Sequence, residues 1–424
     1  MNNLEFAGLP LRAMLVLAAA IGTACLAHPR VEVFRNGDGD FPFIRIPALL
    51  RVNDTHLIAF AEGRGQRTDH GRVSIIMRSS ADNGATWSPI TVVHQEPDRT
   101  VGNPTPLFDD PEIVVFFCRG NKEVLETRST DGGGSWSPPR LLSWVRPSTW
   151  AWVAVGPPSA LVTSRGRWVL PGDGLIGSAQ IYQAAEVFSF VLTSDDRGAT
   201  WHQAPLLPGG NECQAAELGN GTLVLNMRSV EAVRLHSSSE DGGATWTAPR
   251  RAAPPVTDGN CQGSMIALQP PPPPARGVPS AHAEGPEPPL LVATSVELGR
   301  RRLTARTSMD GGASWRVLSV VEPGTAGYSA LADLGGGWAG CLYEIRKDEE
   351  VVSRSGVKRK VQVDLIVFDR INVSAATPIG NRALDLGDAA AVGQPQPHGA
   401  SGGGAEPVGA ATQPAGAQIT HDEP

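Results

Sequence analysis

Only three tyrosines and five cysteines occur among the 424 residues, and no sustained helical periodicity runs anywhere along the chain. The cysteines (25, 118, 213, 261 and 341) stand far apart, with no CxxC or Cys/His spacing that would hold zinc. Cys118, Cys213, Cys261 and Cys341 read as small buried thiols within strands. The net charge of −7 is spread without a basic stripe, which argues against nucleic acid as a partner. No metal site and no cofactor are expected. Short apolar runs broken by Gly, Pro, Asn and Asp dominate instead, and these are the marks of an all-β chain.

The only sustained apolar run lies at the start. Arg12 precedes Ala13–Ala20, and the run continues through Ile21 to Ala27. At roughly 15 residues it is short for a bilayer span, which needs about 20. Residues 1–27 read as a signal peptide cleaved after Ala27 or as an uncleaved hydrophobic anchor, the latter implying membrane association. Three Asn-x-Ser/Thr sequons, at Asn53, Asn220 and Asn372, are compatible with a secretory route. The ordered body is expected over 29–373. Within it, Gln269 to Pro289 holds five consecutive prolines and reads as an extended insertion between strands. Residues 374–424 are rich in Gly, Ala, Pro and Gln and offer too little apolar surface to offset ordering entropy, so a disordered tail is expected.

What is abundant is a repeat. Ser-x-Asp-x-Gly-x-(Thr/Ser)-Trp occurs at Ser80–Trp87, Ser129–Trp136, Ser194–Trp201, Ser239–Trp246 and Ser308–Trp315. Five of the ten tryptophans are spent on it. Each copy reads as a turn in which Asp bonds downstream N–H groups, Gly supplies a positive φ, and Trp anchors the turn. Copies spaced by roughly 45 to 70 residues, with apolar segments between, imply an array of strand–turn–strand units. A propeller blade needs about 40 to 50 residues or somewhat more, so roughly 345 residues accommodate six blades and crowd eight. The expected fold is an all-β, six-bladed β-propeller with the turns on its outer hairpins.

Phe43-Ile44-Arg45-Ile46-Pro47 places one Arg inside an apolar strand start, where its charge must find an anion or several acceptors. This segment resembles the Phe/Tyr-Arg-Ile-Pro signature of sialidases (neuraminidases), and the repeats resemble their Asp boxes. The likeness extends in order through nearly the whole body, nearest the lysosomal-type and related bacterial enzymes. Ala59–Arg64 with Asp69 is similar to the block carrying the family's acid/base Asp, with Arg64 beside it, and Gly102-Asn103-Pro104 to a block at the site rim. Asn211–Gln214 matches the family's Glu block through Glu212, and Asn226-Met227-Arg228 its second Arg. Cys261-Gln262-Gly263-Ser264 resembles a further site-lining block. Arg300 stands at the usual offset of the third Arg, with Arg301 as runner-up. Ala326–Leu331 matches the nucleophile block around Tyr328, and Cys341–Glu344 the closing block.

The resemblance implies an exo-α-sialidase, and the chemistry of the residue types agrees. Sialic acids carry a carboxylate on the anomeric carbon, which Arg45, Arg228 and Arg300 would clamp with charge-assisted bonds. Glu344 would offset their mutual repulsion by pairing with Arg45. A carboxylate nucleophile would be repelled there, and sialidases use Tyr instead. Tyr328 would be that nucleophile, Glu212 its base, and Asp69 the acid and then the base, giving retention through a tyrosyl intermediate. Arg64, Asn103, Gln262 and Glu344 complete the expected substrate-binding set. Sialylated glycoproteins, glycolipids and oligosaccharides are the expected partners, met along a secreted, lysosomal or membrane-associated route. Trp150–Pro157 and Pro171–Gly174 depart from the family pattern, which leaves acyl preference open. Competing readings are hydrolysis of a related nonulosonic acid such as the deaminated form, a trans-sialidase, and a non-catalytic binding propeller.

Overall fold

The computed structural model describes residues 29–144, 146–177, 186–268, 290–352 and 358–374. The N-terminal segment over 1–27, the proline-rich insertion and, apart from Ser374, the C-terminal tail lie outside the described residues. No α-helix occurs among the described residues.

The strands pair antiparallel with their sequence neighbours, as short turn-linked segments do. Blade I comprises Phe43–Arg51, Leu57–Arg64, Val73–Ser80 and Thr91–Gln95. Blade II comprises Val101–Asp109, Glu112–Arg119, Glu123–Ser129 and Arg140–Leu141. Blade III comprises Trp150–Val155, Trp168–Ile176, Glu186–Ser194 and His202–Gln203, with two short extra strands. Blade IV comprises Gly210–Glu217, Leu223–Ser229, Leu235–Ser239 and Arg250–Arg251.

The remaining strands form one seven-stranded sheet, because the 20-residue strand Arg316–Gly335 serves two blades. Its first half closes blade V (Met265–Leu268, Leu290–Glu297, Arg301–Ser308). From Ala326 onward it opens blade VI, with Trp338–Val352 and Lys358–Asn372. The fourth strand of blade VI is Val31–Arg35, from the other end of the body. Six four-stranded units result.

The core is correspondingly divided. Six clusters of buried apolar side chains each draw mainly on two adjacent blades, one of them joining Val33, Ile366 and Phe368 of blade VI to Leu49, Leu57 and Ile76 of blade I. Every sheet is therefore apolar on both faces, which only a closed ring can cover.

All five Asp boxes join the third strand of a blade to its fourth. Blade VI has none because its fourth strand is not connected to its third. In the first box Ser80 Oγ donates to Asp82 Oδ1 (2.8 Å) and accepts the Gly84 N–H (2.7 Å). Thr86 donates its N–H to Asp82 Oδ1 (2.8 Å) and its hydroxyl to Oδ2 (2.6 Å). The same bonds recur in the other four copies. The hydroxyl and N–H donors hold the carboxyls of Asp82, Asp131, Asp196 and Asp241 down at about 2. Their contribution to stability is thus complete above the ordinary carboxylate pKa and is lost as pH falls through about 2.

The boxes also wedge against the preceding blade. Trp87 meets Phe368 of blade VI edge-on at 5.7 Å, Trp136 meets Phe60 of blade I, and Trp201 meets Phe116 of blade II. Trp315 stacks on His236 of blade IV at 5.5 Å. A Cβ on Gly84, at φ +88°, would lie 2.4 Å from Phe368 Cε1, whereas one on Gly120, at φ +57°, would meet nothing within 4 Å. Gly84→Ala is expected to cost roughly 2–4 kcal/mol, from strain plus a clash with an immovable ring. Gly120→Ala is expected to cost about 1–2 kcal/mol, from conformation alone. Urea unfolding of the two variants measures the difference, and equal losses would remove the wedge.

Candidate active site

The first strands of the blades surround the axis, where Phe43–Arg51 touches both Val101–Asp109 and Arg316–Gly335. Several of these strands are bulged. The register slips between Arg45 and Ala48, Gly102 and Thr105, Gly210 and Cys213, and Ala326 and Ser329. A bulge re-aims side chains away from the sheet alternation. These four slips bracket or include Arg45, Asn103, Glu212 and Tyr328.

At the first slip Ile46 has φ +58°, a costly conformation for a β-branched residue. Glu344 holds it there. Its Oε1 accepts the Ile46 N–H (2.9 Å) and Arg45 Nε (3.3 Å), and its Oε2 accepts Arg45 Nη2 (3.3 Å) and the Tyr328 N–H (3.1 Å). Burial pushes the Glu344 carboxyl up, but Arg45 and the two N–H groups outweigh it, and its pKa lies below the ordinary value. A Cβ on Gly327 would sit 2.3 Å from Glu344 Oε2, so the approach needs glycine.

Tyr328 and Glu212 form the centre. The phenol donates to Glu212 Oε1 at 2.6 Å, and Arg228 Nη1 lies 2.9 Å from Glu212 Oε2 and 3.4 Å from Tyr328 Oη. Three guanidinium groups converge on the ring. Arg45 Cζ lies 5.5 Å from its centroid, and Arg300 Cζ lies 5.7 Å. Arg300 reaches it from a left-handed backbone, φ +50°. Its neighbours Arg301 and Arg302 are exposed, and Arg302 pairs with Glu297. Burial and the Glu212 charge push the Tyr328 pKa well up, against the pull of Arg228 and Arg300. The phenol therefore holds its proton at neutral pH.

Asp69 sits on the loop after Leu57–Arg64, its side chain 59% exposed. Its Oδ1 accepts Arg64 Nη1 at 2.8 Å and lies 4.0 Å from Arg45 Nη1. Burial pushes this carboxyl up, but Arg64 and Arg45 prevail and lower it.

Four expected substrate contacts are placed differently among themselves. Arg64 is 2% exposed, with Nε on Glu62 Oε2 (2.8 Å) and Nη1 on Asp69, so it holds the Asp69 carboxylate and has no face toward a sugar. Asn103 takes φ +59° and gives its backbone N–H to Glu62 Oε1 (2.7 Å), its side chain remaining half-buried at the rim. Gln262 is 2% exposed and spends both ends of its amide on Ser329, accepting its N–H and donating to its C=O at 3.0 Å each. This clamp fixes the strand beside Tyr328. Glu344 holds Arg45 and the Tyr328 backbone from beneath.

Two further buried acids were not among the expected site residues. Glu62, 3% exposed, joins Arg64 to Asn103. Asp173 is 3% exposed and accepts from Asn211 Nδ2 at 3.3 Å, while its Oδ1 has no partner. Burial and the neighbouring Glu212 push its pKa well up, against the pull of Arg228 and the Trp152 indole. A lone acid within the apolar strand Trp168–Ile176 is the one signal in the sequence.

The family described as a BNR repeat-like domain matches residues 55–341, more than half the chain. Rat Sialidase-2 is 30% identical over 354 residues, which span 73% of this chain and 90% of that protein. The chain belongs to the sialidase family. Mouse Sialidase-2 is 29% identical over 377 residues, covering 77% and 95% of the two chains. A sialidase from Micromonospora viridifaciens is 29% identical over 351 residues, and this chain spans about half (51%) of its length. Among solved structures, the Hadza microbial sialidase Hz136 superposes with a TM-score of 0.66 at 23% identity, over 82% of this chain and 69% of that one. Trypanosoma rangeli sialidase in complex with 2,3-difluorosialic acid, a covalent intermediate, superposes at a TM-score of 0.60 with 19% identity, over 80% of this chain and 58% of that one. At these identities the structures speak for the sialidase fold alone.

If Gln262 acts on the sialidase site only through Ser329, Gln262→Ala leaves two buried backbone groups unsatisfied at roughly 1–3 kcal/mol each. The expected outcome is a lower unfolding midpoint and lower kcat with KM nearly unchanged. A rise in KM at constant kcat would mark direct sugar contact instead.

Proposed function

We propose that this protein is a retaining exo-α-sialidase that releases terminal α-linked sialic acids from glycoproteins, glycolipids and oligosaccharides. The observation that carries the reading is the 2.6 Å bond from Tyr328 Oη to Glu212 Oε1 beneath converging Arg45, Arg228 and Arg300. Three cations around a neutral phenol suit a substrate whose anionic group adjoins its reacting carbon. The substrate carboxylate binds the three guanidinium groups, which brings the anomeric carbon over Tyr328 Oη.

In the first displacement Glu212 Oε1 takes the phenolic proton as Oη bonds to the anomeric carbon. The glycosidic C–O bond breaks and Asp69 gives its proton to the departing oxygen. The high pKa of Tyr328 means that no free phenolate accumulates, so proton loss and attack proceed together. In the second displacement Asp69 takes a proton from water, whose oxygen attacks the anomeric carbon. The Tyr328 C–O bond breaks and Glu212 returns the proton. Two inversions leave the configuration retained.

Asp69 must be protonated for the first step, yet Arg64 and Arg45 hold its pKa down in the free protein. Substrate reverses this: its carboxylate engages Arg45 and adds a negative charge near Asp69. Both effects raise the Asp69 pKa once the sugar is bound.

With an oligosaccharide α-sialoside, Tyr328→Phe and Asp69→Ala are each expected to lower kcat/KM roughly 10²–10⁴-fold or more. Asp69→Ala recovers most of its loss on an aryl sialoside whose leaving group needs no proton. Full activity in Tyr328→Phe would overturn the mechanism.

The pH profile supplies a second test. A low free-protein pKa of Asp69 places the alkaline fall of kcat/KM at lower pH than that of kcat, which reports the bound complex. Coincident alkaline limbs would show that the substrate does not raise Asp69.

A further inference from the structure

Between blades IV and V lies a small cavity with room for one water-sized occupant, lined by Asn226, Arg234, His236, Thr294, Arg306 and Trp315 among others. Three of these residues bring buried nitrogen atoms without any hydrogen-bond partner: Asn226 Nδ2, His236 Nδ1 and Trp315 Nε1. The three residues are 1%, 3% and 8% exposed, so bulk water does not satisfy them. The orientation of Asn226 is settled by its other end. Its Oδ1 accepts Arg234 Nε at 2.9 Å, which turns the N–H groups of Nδ2 the other way.

The charge around the cavity is positive. Arg234 is 2% exposed and donates to the carbonyls of Cys261 (3.2 Å) and Gly263 (3.5 Å), with Asp258 Oδ2 no nearer than 3.9 Å. Asp258 already accepts the N–H groups of Ser229 and Asn260 at 3.0 and 2.9 Å. Arg306, half-buried, donates to Ser295 Oγ at 2.7 Å. No carboxylate lines the cavity among the described residues. Burial, with Arg234 and Arg250 nearby, pushes His236 down to about 3, so its ring is neutral and adds an N–H but no third charge.

A water molecule offers two lone pairs and no charge. Three buried, unpartnered donors on residues of its wall, beside two guanidinium groups, call for more acceptor capacity and a negative charge, in a space that excludes polyatomic anions. We propose that this cavity binds one halide-sized monovalent anion, chloride in ordinary media, with His236 in its Nδ1–H tautomer. The anion ties blade IV to blade V. It also lies behind the catalytic strands: Thr294 Oγ1 bonds Ser329 Oγ at 2.8 Å, next to Tyr328, and Asn226 shares its strand face with Arg228 two residues on.

The test uses the full chain in sodium chloride and in sodium methanesulfonate at matched ionic strength. Chloride is expected to raise the unfolding midpoint saturably, by roughly 2–5 °C, and methanesulfonate is not. A crystal grown in bromide is expected to show an anomalous peak in the cavity. Asn226→Asp, which puts a carboxylate oxygen in place of the amide nitrogen, removes the chloride response, and Arg306→Gln weakens it should the first variant fail to fold. Equal or linear responses to both salts would overturn the proposal. So would a bromide crystal with no cavity peak, or a chloride response unchanged in Arg306→Gln.

Discussion

Every sheet of this molecule is apolar on both faces, and that constraint governs the rest. A sheet with one neighbour would leave a row of Val, Ile and Phe in water, at about 25 cal/mol for each Å² exposed. Six sheets in a ring cover one another, provided that the last meets the first. Closure is made twice over: Val31–Arg35 completes blade VI, and the first Asp box sets Trp87 and Gly84 against Phe368. Once the ring is closed, the first strand of each blade is held near the axis by its neighbours. Bulges on those strands can then be maintained against their local cost, as the left-handed Ile46 shows.

The second organising force is electrostatic. Arg45, Arg228 and Arg300 gather around one phenol, and such a cluster repels itself. Glu344 and Glu212 offset two of the charges from below and from the side, while Arg64 takes its own counter-ions, Glu62 and Asp69. These carboxylates do more than neutralise. Glu344 also fixes the Ile46 and Tyr328 backbones, and Glu212 also receives the Tyr328 hydroxyl. The same groups that make the cation cluster tolerable therefore set the geometry of the Tyr328 hydroxyl.

Much of this was legible in the chain itself. The boxes could be read because each is a local turn whose eight residues supply their own donors, acceptors and positive φ values. Arg45, Asp69, Glu212, Arg228, Arg300 and Tyr328 could be read because they resemble a family pattern, and the structure brings them around one centre. Gln262, Arg64 and Asp173 were not legible in the same way. Whether an amide faces a sugar or a backbone, as Gln262 does, depends on a strand 67 residues away. Nor does a run of Arg300, Arg301 and Arg302 say which one turns inward, because the deciding φ values belong to the loop.

The amino-acid sequence alone determined the repeat, the all-β class, the number of blades and the residue types able to meet a sialic acid. The first three follow from local turn chemistry, chain length and composition, and the last from the resemblance to the sialidase pattern. Tertiary structure decided what those features do together. It turned the boxes from outer-hairpin anchors into wedges between blades, and it made one long strand serve two sheets. It also assigned Arg64 and Gln262 to holding other residues, and brought three unpaired nitrogens to one cavity. The reason is range: a turn closes within eight residues, whereas a ring, a charge cluster and a buried cavity are built from contacts that span the whole chain.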